Sequence, residues 1–92
     1  MVFDFHKMKV RNQEYLTEFG KNLKQLIDSK GKTPEGVAAL GNIETKQVYR
    51  IINGEYNISL STILAIAKGL EIHPEELLKF KFKFDYKISE EE

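Results

Sequence analysis

Apolar residues recur every three or four positions between Arg11 and Lys30, which is the spacing of one face of an α-helix. The residues on this face are Leu16, Phe19, Leu23, Leu26 and Ile27. We therefore predict a first helix in this segment that ends at Gly31.

The run Thr33-Pro34-Glu35 has the form of a helix start. A threonine hydroxyl can cap a helix, proline is tolerated at the first helical position, and an acid in the first turn interacts favourably with the helix dipole. We predict a second helix over residues 34–40. The pair Gly41-Asn42 follows, and because both residues tolerate positive φ, the chain can reverse sharply there.

A third helix is predicted over residues 44–52, with Val48, Ile51 and Ile52 on its inner side. The pair Asn53-Gly54 is a typical stop signal at its end. The residues that lie mostly on its other sides are Lys46, Gln47, Tyr49 and Arg50. This helix therefore presents a polar outer face.

Two further helices complete the predicted helical domain. Ser59 can cap the fourth, whose predicted inward positions are Leu60, Ile63, Leu64, Ile66, Ala67 and Leu70. The run His73-Pro74-Glu75-Glu76 repeats the start pattern of the second helix, so Leu77 and Leu78 are expected to begin a short fifth helix.

Near the C-terminus the hydrophobic period changes from about 3.6 to two, which is typical of a β-strand with one apolar face. The alternating residues, called here the C-terminal row, are Phe80, Phe82, Phe84, Tyr86 and Ile88. Phe3 and Phe5 show the same spacing in a shorter segment. The predicted fold class is all-α: a compact five-helix domain over residues 11–79, with a short β-strand in residues 80–92 and an N-terminal extension, residues 1–10, as a candidate second strand.

Length and charge set limits on the function. Ninety-two residues, 41% of them hydrophobic and 30% charged, are typical of one globular domain. The formal net charge of zero divides into +3 for residues 1–50 and −3 for residues 51–92, which permits a basic face without indicating nucleic acid by itself. The apolar runs are far shorter than the ~20 residues of a membrane span and the N-terminus does not resemble a signal peptide, so we expect a soluble, cytoplasmic protein with no membrane partner.

The sequence offers little that would support catalysis. The absence of cysteine excludes disulfides, a thiolate metal site and a cysteine nucleophile. His6 and His73 fall in different predicted elements, and Glu75-Glu76 fits the first-turn dipole rule better than a catalytic pair. We expect no enzyme activity, no metal site and no cofactor.

A helix of about seven residues, a three-residue turn and a second helix of about nine form the layout of the helix-turn-helix, whose second helix enters the DNA major groove. Residues 33–54 resemble this motif in the phage repressor and Cro family, also called the XRE family. The matching positions are Val37-Ala38, Ile43, Val48, Ile51 and Asn53-Gly54. Residues 57–78 resemble the family's fourth and fifth helices, so the likeness covers roughly residues 16–79 and implies a lambda-repressor-like fold.

The resemblance implies double-stranded DNA as a partner. The positions carried over to DNA contact are Thr33, Thr45, Lys46, Gln47, Tyr49, Arg50 and Asn53. Lys46 and Arg50 share a helix face and can donate to guanine, and Gln47 can pair with adenine. Tyr49 has two alternatives, contact with a thymine methyl or a phosphate, and packing over the turn. Asn53 is expected to cap the third helix and to donate to a phosphate.

Three residues depart from the family pattern. Pro34 stands where a phosphate-gripping Gln is common, Glu44 where Ser or Thr is usual, and Glu55 where Lys or Arg often stands. Because backbone contacts contribute a large share of DNA affinity, we expect modest affinity per protomer.

An exposed aromatic strand needs a partner for its backbone and its apolar face. One alternative is that the C-terminal row covers the core of its own chain. We favour a homodimer interface, in which the row pairs with residues 2–9, with the same row of a second protomer, or with both. The leading hypothesis is a sequence-specific transcriptional regulator, such as a repressor, that binds a palindromic operator as a homodimer. The alternatives are the antitoxin of a toxin–antitoxin pair, whose tail would bind a toxin partner, and a helical protein-interaction module that does not bind DNA.

Overall fold

Four α-helices and one 3-10 helix make up the part of the chain that the structure, a computed structural model, describes, which is residues 11–84. The elements are α1 Gln13–Ser29, α2 Pro34–Gly41, α3 Thr45–Ile52, α4 Leu60–Leu70 and the 3-10 helix Pro74–Leu78. Within residues 11–84 no helix has the length and apolar character needed to cross a membrane.

Local signals define the helix ends, as predicted. The Thr33 hydroxyl accepts a hydrogen bond of 3.0 Å from the Gly36 N–H at the start of α2. Ser59 accepts from the Thr62 N–H at the start of α4 at 3.2 Å. Asn42, at φ 61°, adopts the left-handed conformation that turns the chain from α2 toward α3.

The core lies between α1, α2, α3 and α4, with the 3-10 helix against one side. Its fully buried large side chains are Leu23, Ile27, Val37, Val48, Ile51, Ile66, Leu70 and Leu77. Three glycines of the described residues let helices approach closely. A methyl group at Gly20 would overlap the Ile52 carbonyl, one at Gly69 the Val37 carbonyl, and one at Gly41 the Ala65 carbonyl. The first contact seats α1 on the end of α3, and the other two seat α4 on α2, so both helices of the helix-turn-helix have a close-packed support.

The predicted fold class, five α-helices with a β-strand, is wrong in two respects. The fifth helix is a 3-10 helix of five residues. Its carbonyls accept hydrogen bonds from the N–H three residues later, as the His73 carbonyl does from the Glu76 N–H at 3.0 Å. Residues 80–84 form no strand, because no extended segment within residues 11–84 supplies a ladder of backbone partners. Tyr86, Ile88 and the candidate N-terminal strand lie outside the described residues.

The aromatic side chains of residues 80–84 pack on α1 instead. The Tyr15 ring centre lies 5.0 Å from that of Phe80, 4.8 Å from that of Phe82 and 5.6 Å from that of Phe84. Phe80 also meets the buried Phe19 edge-on at 6.4 Å. Aromatic contacts with Tyr15 therefore hold the three described residues of the C-terminal row against α1.

The predicted inner face of α4 is wrong at two leucines. Leu60 is 73% exposed and Leu64 is 51% exposed. The face of α4 that packs against the core contains Thr62, Ile66 and Gly69 instead, because Gly69 permits the close approach of α2. The two leucines, one turn apart, lie on a different face of the helix.

Candidate nucleic-acid interface

The third helix has the two-sided character expected of a recognition helix. Val48 and Ile51 are fully buried and attach α3 to the core. Lys46 and Arg50 are exposed, and Gln47 is partly buried beside them. An anchored inner face therefore holds three long hydrogen-bonding side chains on a rigid helix.

These three side chains surround a shallow depression of about 130 Å³, with Glu44 and Tyr56 as its other lining residues. Three of the predicted base-contacting residues are thus brought together around one depression, whereas Thr45 and Tyr49 do not line it. Glu44 is the N-cap position of α3, and its side chain makes no capping hydrogen bond. An acidic side chain therefore lies beside Lys46 and Arg50 at this depression. Tyr56 was not predicted as a site residue. It lies in the loop after α3, where no helical period places its side chain.

Tyr49 connects the two helices of the motif. Its hydroxyl donates a hydrogen bond of 2.7 Å to Oε2 of Glu35, in the first turn of α2. This bond lowers the pKa of Glu35 and raises the pKa of Tyr49, because it favours the ionised acid and the protonated phenol. The sequence pattern predicts Glu35 only as a first-turn acid, because no local period relates it to Tyr49, which lies 14 positions further along the chain.

The start of α2 and the start of α3 each contribute one threonine from the predicted set. Thr33 is exposed and its oxygen caps α2, which leaves its hydroxyl hydrogen outside that bond. Thr45 is the first residue of α3 and is partly buried. Pro34, at the first position of α2, has no N–H to offer a phosphate.

The turn after α3 is held from a distant part of the chain. Asn53 is the C-cap of α3, as predicted, and Gly54 follows with φ 74°. The side-chain amide of Gln13 donates to the Gly54 carbonyl at 2.7 Å. Glu55, the departure from the family pattern, is exposed, and its N–H donates to the Arg50 carbonyl at 2.9 Å.

The predicted dimer residues lie apart from this set. Phe80, Phe82 and Phe84 contact Tyr15 of their own chain, and Tyr86 and Ile88 fall outside the described residues.

Comparison with known proteins identifies the domain. The family model for the Cro/C1-type HTH DNA-binding domain matches residues 22–83. The chain is similar to the restriction-modification controller protein C.AhdI from Aeromonas hydrophila, with a TM-score of 0.67 and 36% identity over 70% of this chain and 97% of that one. A mutant of the controller protein C.Esp1396I gives a TM-score of 0.62 and 26% identity over 70% and 91% of the two chains.

A hypothetical transcription factor from Neisseria, NHTF, has the same fold, with a TM-score of 0.64 and 21% identity over 76% of this chain and 82% of that one. No curated protein sequence gives a significant match. The family match extends from α1 through residue 83 and so includes the whole helix-turn-helix. The chain therefore belongs to the Cro/C1-type family of helix-turn-helix DNA-binding domains.

Proposed function

We propose that this DNA-binding regulator recognises a specific, palindromic operator as a homodimer, with α3 in the major groove. The observation that supports this most directly is the anchored α3, which presents Lys46, Gln47 and Arg50 around one depression. Guanine O6 and N7 accept hydrogen bonds from lysine or arginine, and glutamine can bond adenine in both directions. The three side chains therefore offer contacts to both purines from one helix face.

Thr45 is proposed as a further base-contacting residue, and Thr33 and Asn53 are proposed to complete the interface at the DNA backbone. Hydroxyl and amide groups at helix ends commonly hydrogen-bond phosphate oxygens and fix the position of the protein on the duplex. Glu44 and Glu55 place negative charge near the same backbone and oppose binding. One protomer is therefore expected to bind with modest affinity, which makes a second protomer important for occupancy.

A homodimer would place two α3 helices ~34 Å apart, the spacing of successive major grooves on one side of the duplex. The C-terminal row remains our proposed interface, although its described rings also contact Tyr15. Exposed leucines on α4 and on the 3-10 helix, outside the helix-turn-helix, are the other candidates for the interface. These are Leu60, Leu64 and Leu78.

The similarity to two restriction-modification controller proteins supports a controller role for this protein. A controller must bind DNA next to the genes that it regulates. The DNA upstream of the protein's own gene is therefore the first operator to test.

The experiment is a selection of bound sequences from random duplexes, followed by a fluorescence-anisotropy titration of the selected operator and of the upstream DNA. Arg50→Ala and Gln47→Ala should each cost about 1–3 kcal/mol against the selected site and change binding to random DNA little. Lys24→Ala, which removes an exposed cation from α1, is the matched charge control for Arg50→Ala. If no sequence is enriched, or if both variants bind like the parent, the proposed function is wrong.

A further inference from the structure

The hydrogen bond between Tyr49 and Glu35 spans the two helices of the motif at 2.7 Å. Tyr49 follows Lys46 by one turn of α3 and directly precedes Arg50, so it stands among the proposed base-contacting residues. The residue is 43% exposed, although its hydroxyl is hydrogen-bonded. The side chain is thus fixed at its tip and accessible along its body.

This bond limits what Tyr49 can do on DNA. A phenol has a single hydrogen to donate, and a phosphate oxygen is only an acceptor. The Tyr49 hydrogen is already donated to a carboxylate, which is among the stronger acceptors in proteins. To bond a phosphate, Tyr49 would have to release Glu35 and leave an acid without its donor beside the DNA backbone. A phosphate contact by Tyr49 is therefore unfavourable.

Both partners are in the state that the bond requires at neutral pH. The pKa of the Glu35 carboxyl is below its ordinary value because it accepts from Tyr49, so it is ionised. The pKa of the Tyr49 phenol is above its ordinary value because it donates to Glu35, so it is protonated. A change of protonation state therefore does not break the Tyr49–Glu35 hydrogen bond at neutral pH.

What remains available on Tyr49 is the apolar ring. The major-groove feature that an apolar side chain recognises is the C5-methyl group of thymine. A ring that is already held in place also loses less conformational entropy on binding than an untethered one.

We propose that Glu35 is a positioning residue that holds the Tyr49 ring as a thymine-methyl contact in the operator half-site. This inference rests on the proposed function, because it assumes that α3 lies in the major groove. It makes Tyr49 a specificity-determining residue and Glu35 the acid that orients it, so the pair selects thymine at one position of each half-site.

The test replaces each thymine of the selected half-site by deoxyuridine, which removes only the methyl group. The parent should lose about fourfold in affinity at one position, the effect of burying roughly one carbon group. Glu35→Ala and Tyr49→Phe should each reduce this thymine preference, and the double variant should reduce it no further than either single change. Glu35→Gln keeps an acceptor for the phenol and should retain the preference.

Three results would overturn the inference: equal binding of thymine and deoxyuridine at every position, a selected half-site without thymine, or an unchanged preference in Glu35→Ala. The last result includes the case in which Glu35→Ala weakens binding to thymine and deoxyuridine equally, which would leave Glu35 with a structural role only. Circular dichroism of each variant checks that the fold is retained. Failure of the proposed function looks different, because then no operator is enriched or its binding is insensitive to Arg50→Ala and Gln47→Ala.

Discussion

The side-chain amide of Gln13 lies 2.7 Å from the carbonyl oxygen of Gly54, 41 positions further along the chain. The same amide nitrogen lies 3.2 Å from the Thr17 hydroxyl oxygen. Gly54 is buried and directly follows the C-cap of α3. The first turn of α1 therefore holds the end of the proposed recognition helix.

Gln13→Ala should lower the free energy of unfolding by about 1 kcal/mol, because a partly buried carbonyl loses its donor. It should also weaken operator binding, since the turn at residues 53–56 loses a restraint. Urea unfolding and anisotropy titration measure the two effects. Gln25→Ala, a change at an exposed glutamine on the same helix, is the control and should leave both values near those of the parent. Equal behaviour of the two variants would contradict the assignment.

Glu55→Lys should strengthen binding to all DNA sequences. If the new lysine reaches a phosphate, the slope of log K against log salt becomes steeper by about 0.9. The comparison is Glu75→Lys, which makes the same charge change at an exposed position on the 3-10 helix. A slope for Glu55→Lys no steeper than that of Glu75→Lys would place residue 55 away from the DNA backbone.

Removal of residues 80–92 should give a helical protein that sediments as a monomer and binds the full operator much more weakly. Because Phe80 covers Phe19, this truncation is also expected to lower stability. Removal of residues 85–92 alone keeps that contact and separates the two effects. A dimer that survives both truncations would exclude the C-terminal row as the interface, and Leu64→Ser would then test the exposed leucines of α4.

The phenol of Tyr49 should titrate at a higher pH than an ordinary tyrosine, whose pKa is near 10. Since the folded-state pKa of Tyr49 is raised, the stabilisation from this bond is complete below the ordinary tyrosine pKa and is lost as the pH rises through the raised pKa. At the acid end, the Glu35 pKa is lowered, so its contribution is complete above the ordinary carboxyl pKa and is lost as the pH falls.

An NMR titration of the Tyr49 ring measures this directly. In Glu35→Gln the pKa of Tyr49 should move back toward its ordinary value, because the charged acceptor is gone. Tyr15 provides an internal comparison, since its pKa is raised by burial and not by Glu35. An unchanged Tyr49 titration in Glu35→Gln would mean that the bond does not persist in solution.

Local sequence was sufficient for the helix-turn-helix because its determinants lie within a few residues of one another. The cap at Thr33 acts on Gly36, and the turn at Asn42 depends on its own left-handed conformation. The buried positions Val48 and Ile51 follow from the period of a single helix. Hence the second and third helices, their reversal and the polar face of α3 could be predicted without knowledge of the packing.

Tertiary structure decided the features that depend on which other segment of the chain an element packs against. The alternation in residues 80–88 is compatible with a strand, but a strand forms only with a partner backbone. In residues 80–84 the aromatic side chains pack against Tyr15 instead. The exposure of Leu64 depends on the angle at which α4 meets α2 through Gly69, which no helical period specifies. The pairs Tyr49 with Glu35 and Gln13 with Gly54 join separate helices, so only the packing of those helices brings their atoms within bonding distance.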